Sequence, residues 1–182
     1  MKDSFDRVTA PGYLDGLTTR SLADVRTMRA ECQSLENSLS YARRLAQGRL
    51  DIVGAELARR SSGGDPADLR DLIGRLPDIL ADRTRAGAGA GPGGVRPPLE
   101  MSGDTFADDL AHEVDAIFNP VDTGDITALA DERLDDIRER LAGYEQTAST
   151  RRHALHRVID ELQAEITRRY RTGEASVDSL LG

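Results

Sequence analysis

The stretch from Ser21 to Arg60, SLADVRTMRAECQSLENSLSYARRLAQGRLDIVGAELARR, decides the fold. Apolar or small residues recur at Val25, Met28, Cys32, Leu35, Leu39, Ala42, Ala46, Leu50, Val53 and Leu57. The steps are nearly all threes and fours, with one stutter around Ala46 to Val53, so the spacing predicts a single helix with one continuous seam for another helix. Ser21 and Asp24 stand three apart at its start, the pattern of a reciprocal capping box. SSGGDP at 61–66 stops the run.

A second stretch carries a similar seam between about Asp125 and Tyr170: Ala130, Leu134, Ile137, Leu141, Tyr144, Ala148, Leu155, Ile159, Leu162 and Ile166, interrupted by Arg151. A shift of 109 residues lays the first helix on the second. Val25 then falls on Leu134, Met28 on Ile137, Leu35 on Tyr144, Val53 on Leu162 and Leu57 on Ile166. Arg29, Ala55, Glu56 and Arg59 meet Arg138, Ala164, Glu165 and Arg168. This is an internal duplication of a helix. Each helix of about 40 residues spans roughly 60 Å and needs its stripe buried to be stable. The expected fold is all-α: a long antiparallel coiled-coil helical hairpin, its halves related by an approximate twofold axis, with additional short amphipathic helices.

The remaining segments read as connections. Residues 1–20 mix Gly, Pro and Thr without a period and are expected to form a flexible N-terminal arm. The first motif helix is placed at 21–60, and a Gly/Pro-rich linker at 61–103. That linker holds a short helix from Ala67 to about Leu76 and the run RAGAGAGPGGVRPP at 85–98. An accessory helix at 104–119 would bury Phe106, Leu110, Val114 and Ile117. The second motif helix is placed at 125–170 and a C-terminal tail at 171–182, with Arg171–Thr172–Gly173 as the exit.

Composition narrows the function. Aromatic content is 4%, which suits narrow helical seams better than a sheet core. The formal net charge of -8 argues against duplex nucleic acid as partner, since backbone binding needs a basic footprint. Lys2 is the only lysine, an arginine skew that resembles chains from high-GC actinobacteria. Cys32 lies on the apolar stripe and reads as a small buried hydrophobe. The N-terminus lacks the apolar run of a signal peptide and no stretch approaches spanning length, so the expected location is cytoplasmic, away from membrane.

A polar series runs beside the seam, twice. Glu36, Ser40, Arg43, Gln47 and Asp51 are spaced four, three, four and four; Glu145, Ser149, Arg152, His156 and Asp160 repeat the spacing. At about 100° per residue each set falls within an arc of roughly 80°. Intrahelical salt bridging is a poor explanation. Arg43 is seven residues from Glu36 and eight from Asp51, whereas such pairs need three or four. In a centred antiparallel pair Glu36 would approach the level of Asp160, Ser40 that of His156, and Arg43 that of Arg152. Two facing guanidiniums would then repel unless an anion lay between them. Descent alone, or interhelical hydrogen bonds that set register, could also account for the repetition. A nucleotide is the sharper reading. Arg offers a fork to guanine O6 and N7 or to phosphate, Asp accepts from guanine N1 and N2, and Ser, Gln and His serve phosphate and ribose oxygens. A ligand with its own twofold symmetry, such as a cyclic dinucleotide, suits two facing copies.

The doubled pattern resembles the cyclic-di-GMP-binding signature of the RsiG anti-sigma factors of Streptomyces and related actinobacteria. ENSLSYARRLAQGRLD at 36–51 matches in full; EQTASTRRHALHRVID at 145–160 matches except that His156 stands in place of Gln. The resemblance implies that cyclic-di-GMP binds as a dimer of two molecules on the hairpin. It also implies that the loaded protein holds a sigma factor of the flagellar and sporulation type away from RNA polymerase. The ten motif residues would then contact the ligand, Arg43 and Arg152 foremost, with Asp51 and Asp160 reading guanine. Other faces of the hairpin and the 104–119 helix would be left for the sigma factor.

Enzyme chemistry is not expected. His112, His153 and His156 form no zinc set with Cys32, and Ser40 and Ser149 lack a triad. A phosphodiesterase would need a metal cluster or general base that the sequence does not offer. The remaining alternative is a structural coiled-coil adaptor with no nucleotide ligand.

Overall fold

The computed structural model describes residues 2–64, 105–119 and 126–174. Everything regular in them is helical: α1 (Lys2–Thr9), a 3-10 helix (Leu17–Thr19), α2 (Leu22–Ser62), α3 (Thr105–Ile117), a second 3-10 helix (Ile126–Ala128) and α4 (Asp131–Thr172). The expected short helix at 67–76 and the Gly/Pro-rich run at 85–98 lie outside the described residues.

The two long helices form the hairpin. α2 has 41 residues and α4 has 42, and they run antiparallel: Arg26 near the start of α2 bonds Tyr170 near the end of α4, while Arg60 at the end of α2 pairs with Asp131 at the start of α4. Burial follows the seam over most of its length, but Leu50 and Leu57 are half-buried and Ala130 is exposed, and toward the end of α2 the charged Arg49 and Glu56 are buried instead, each held by a partner of opposite charge. Val25, Cys32, Leu39, Ala42, Ala46 and Val53 of α2 are shut from solvent, as are Leu134, Ile137, Leu141, Leu155 and Leu162 of α4. Cys32 is fully buried, with its Sγ 4.0 Å from the Tyr13 hydroxyl. Side chains of this size contribute about 1.5–3 kcal/mol each on burial, which a single amphipathic helix in water cannot obtain.

Local chemistry sets the ends. The Asp24 amide donates to Ser21 Oγ at 3.1 Å, and the Ser21 amide donates to Asp24 Oδ2 at 3.2 Å, completing the capping box. α4 begins six residues later than expected, because the chain first turns through the 3-10 helix. Its N-cap, Ala130, offers no side chain, and Asp131 and Glu132 supply negative charge at the dipole's positive end instead. Gly63 and Gly173 end the two helices at φ 70° and 75°, where any L side chain would be strained.

Two shorter helices flank the hairpin, one on each long helix. α3 packs chiefly along α2, burying Ala107, Leu110, Val114 and Phe118, with Phe106 and Ile117 half-covered. Arg49 donates to the Phe118 carbonyl at 2.6 Å and pairs with Asp115, which fixes the end of α3. The segment expected to be a flexible arm instead carries α1. It packs on α4 with Val8 fully buried, and the Arg151 guanidinium lies 5.5 Å from the Phe5 ring. Arg151 therefore interrupts the seam at the place where α1 arrives. An eight-residue helix has too little periodicity of its own to announce itself; tertiary burial stabilises it.

The duplication extends beyond the long helices. Leu17–Thr19 and Ile126–Ala128 are 3-10 helices at equivalent positions, and Leu22 and Asp131 begin α2 and α4 at the same 109-residue offset.

Candidate functional site

The motif residues meet at the middle of the hairpin, but in pairs that level-by-level counting does not give. Glu145 Oε1 on α4 accepts from Arg43 Nη1 at 3.0 Å and Gln47 Nε2 at 3.2 Å, both from α2. It also accepts from Ser149 Oγ at 3.2 Å on its own helix. The mirror arrangement is built on Glu36 Oε1. Arg152 reaches it with Nε at 3.0 Å and Nη2 at 2.9 Å, His156 Nε2 lies at 3.2 Å, and Ser40 Oγ donates at 2.7 Å. Each half-site therefore takes Glu and Ser from one helix and Arg with Gln or His from the other. The twofold relation expected from the repeat is realised in side-chain geometry.

One expectation needs correction, and the levels alone do not give the partners. Glu36, expected at the level of Asp160, bonds Arg152 and His156; Asp160 is exposed and has no polar partner among the described residues. Ser40 and His156, expected close together, meet on one shared acceptor, Glu36 Oε1. Arg43 and Arg152 are not left facing one another uncompensated, since each guanidinium is held by a carboxylate of the opposite helix. The physical reason is reach: long flexible side chains settle on the nearest opposite charge, one or two turns from their own level.

The environment is half-buried. The Arg43, Arg152 and Glu145 side chains are about a quarter exposed, and Glu36 is buried. Burial raises the Glu36 pKa, but hydrogen bonds from Ser40, His156 and Arg152, together with the Arg152 charge, outweigh it and the net displacement is downward. Glu36 is thus an anion held by its donors. Gln33 adds a hydrogen bond to its second oxygen at 3.2 Å.

Two kinds of unused capacity remain. Arg43 Nε is buried without a hydrogen-bond partner, so one guanidinium keeps a spare donor. Asp51, like Asp160, is exposed without a polar partner among the described residues. A molecule that presents both acceptors and donors would find complementary groups here: quarter-exposed guanidiniums for its acceptors and exposed carboxylates for its donors.

Sequence reasoning missed a second pair of symmetric clusters at the ends of the hairpin. Glu56 is fully buried and pairs with Arg59 and Arg60; Glu165 is buried and pairs with Arg168 and Arg169. Arg60 also donates to the carbonyls of Leu129 at 2.7 Å and Thr127 at 3.1 Å. Arg169 donates to the carbonyls of Leu17 and Arg20, both at 2.7 Å. Each arginine fork thus anchors the 3-10 helix that precedes the opposite long helix. Hydrogen bonds from Arg168 and Arg169 bring the Glu165 pKa down to about 2. The available signal was the 109-residue offset, which aligns Arg60 with Arg169; their backbone partners leave no trace in sequence spacing.

The fold is thus an all-α antiparallel helical hairpin with a doubled polar centre and pinned ends. A family model described as RsiG-like matches residues 11–80 and 120–182, and the chain belongs to that family. Membership points to a regulatory, non-enzymatic role as an anti-sigma factor with a sigma factor as partner. No curated protein matches the chain. No helix among the described residues is long and apolar enough to cross a membrane.

Proposed function

We propose that this protein is a cyclic-di-GMP-responsive anti-sigma factor. It binds two molecules of the dinucleotide as a dimer across the centre of the hairpin and then sequesters a flagellar-type sporulation sigma factor in the cytoplasm. The observation that carries this reading is the paired assembly of Glu36, Ser40, Arg152 and His156 opposite Glu145, Ser149, Arg43 and Gln47, each set built from both helices. Ligand contact at either set bridges α2 and α4. Arg43 and Arg152 take phosphate or the guanine O6/N7 edge, Asp51 and Asp160 accept from guanine N1 and N2, and Ser40, Ser149, Gln47 and His156 donate to the remaining oxygens.

The resident Glu–Arg pairs are no bar to this. A charge-assisted, half-exposed hydrogen bond contributes on the order of 1–3 kcal/mol. A ligand of micromolar affinity supplies about 8 kcal/mol, enough to exchange two such pairs. Bridging then aligns the helices as one surface for the sigma factor, so that ligand and partner bind with mutual reinforcement.

A second reading has its own observation. The Glu–Arg network closes on itself without any ligand, as register-setting pairs in a structural coiled-coil adaptor would. Calorimetric titration with cyclic-di-GMP, cyclic-di-AMP and GTP separates the two. The regulatory reading expects selective binding of two cyclic-di-GMP molecules per chain; absence of heat from all three would leave the adaptor.

A further inference from the structure

Treating all ten motif residues as ligand contacts overlooks a division that the geometry makes. Each motif residue that can donate in a half-site reaches one carboxylate oxygen: Arg43, Gln47 and Ser149 on Glu145 Oε1, and Arg152, His156 and Ser40 on Glu36 Oε1. Arg, Ser, Gln and His can all donate to a phosphate. A carboxylate can only accept, and beside a phosphodiester it adds like-charge repulsion. Each glutamate therefore occupies the point at which a phosphate oxygen would be best served.

We propose that Glu36 and Glu145 are positioning and specificity-determining residues: resident anions that hold the donors of their half-site on one point, and that an entering phosphate must displace. This rests on the cyclic-di-GMP reading and deepens it. The arrangement keeps the arginines from collecting ordinary phosphates. A simple polyanion meets an occupied site and gains nothing beyond the exchange of one anion for another. A guanine dinucleotide makes further contacts, because the exposed carboxylates of Asp51 and Asp160 can accept from its base edges. Specificity arises from a built-in competitor as well as from attraction.

The test replaces the charge and keeps the shape. In the full-length chain, Glu36→Gln with Glu145→Gln retains a carbonyl oxygen that can accept from the same arginines and removes both negative charges. Inorganic pyrophosphate and cyclic-di-GMP are titrated calorimetrically into the wild-type and variant chains, with helicity followed by circular dichroism. The wild-type chain is expected to ignore pyrophosphate, while the double variant binds it at least about tenfold more tightly than wild type, narrowing discrimination between the two ligands. The single Glu145→Gln variant, at the more exposed glutamate, is expected to show a smaller gain of the same sign and guards against misfolding of the double. If neither variant binds pyrophosphate better than wild type, or if the folded variants lose cyclic-di-GMP affinity, the glutamates are direct ligand contacts or purely structural and the proposal is overturned. A wild-type chain that ignores cyclic-di-GMP would overturn the ligand reading, and the pyrophosphate arm would still decide the role of the glutamates.

Discussion

Arg60 and Arg169 show how much one side chain can hold in place. Each is largely buried, neutralises a buried glutamate, and donates to backbone carbonyls of the turn that starts the opposite long helix. Arg169→Ala removes these bonds, leaving the Arg20 carbonyl without its donor, the Leu17 carbonyl with only the Arg20 amide, and the buried Glu165 with one arginine fewer. It is expected to destabilise the chain by about 2–4 kcal/mol in urea unfolding. Arg138→Ala is the control, because that side chain is exposed with only an i,i+3 partner and should change stability by less than about 0.5 kcal/mol. At this scale the sequence was informative about which residues matter and uninformative about whom they touch. The spacing of Glu36, Ser40 and Arg43 puts them on one face of one helix. It does not contain the reach by which Arg43 finds Glu145, or the carbonyls that Arg169 finds, because backbone acceptors carry no residue identity.

At the level of elements, the seams were readable and the flanking helices were not equally so. Leu39, Val53, Leu134 and Leu155 recur with the period of a buried stripe, and all are buried. α1 escaped notice because eight residues hold barely two turns of pattern and its stability is tertiary. Leu155→Ala, in the middle of α4 and fully buried, is expected to cost about 2–5 kcal/mol. Val8→Asp should detach α1 from α4, lowering the midpoint of thermal unfolding while leaving most of the helical signal intact, since the two long helices keep their mutual seam. The end clusters also predict a pH dependence. The folded-state pKa of Glu165 is about 2 against an ordinary 4.5, so between those values the unfolded chain binds more protons than the folded one. Stability from this group is fully present above about pH 4.5 and is lost as pH falls toward 2. Glu36 and Glu56, also displaced downward, act in the same direction. Urea midpoints measured from pH 6 to pH 2 should fall, and a Glu165→Gln variant should show a shallower decline.

The hairpin is two copies of one plan, a 3-10 turn and a long helix, laid antiparallel so that each copy completes the other's half-site and pins the other's start. That relation explains why a doubled motif in sequence becomes a single central site in space. It also implies that losing one half-site should weaken the other, because both depend on the same helix register. The most direct test of this account is calorimetric titration of cyclic-di-GMP into the wild-type chain and into a chain carrying Arg43→Ala with Arg152→Ala. The account predicts two nucleotides per wild-type chain and no measurable binding to the folded double variant; unchanged affinity in that variant would contradict it.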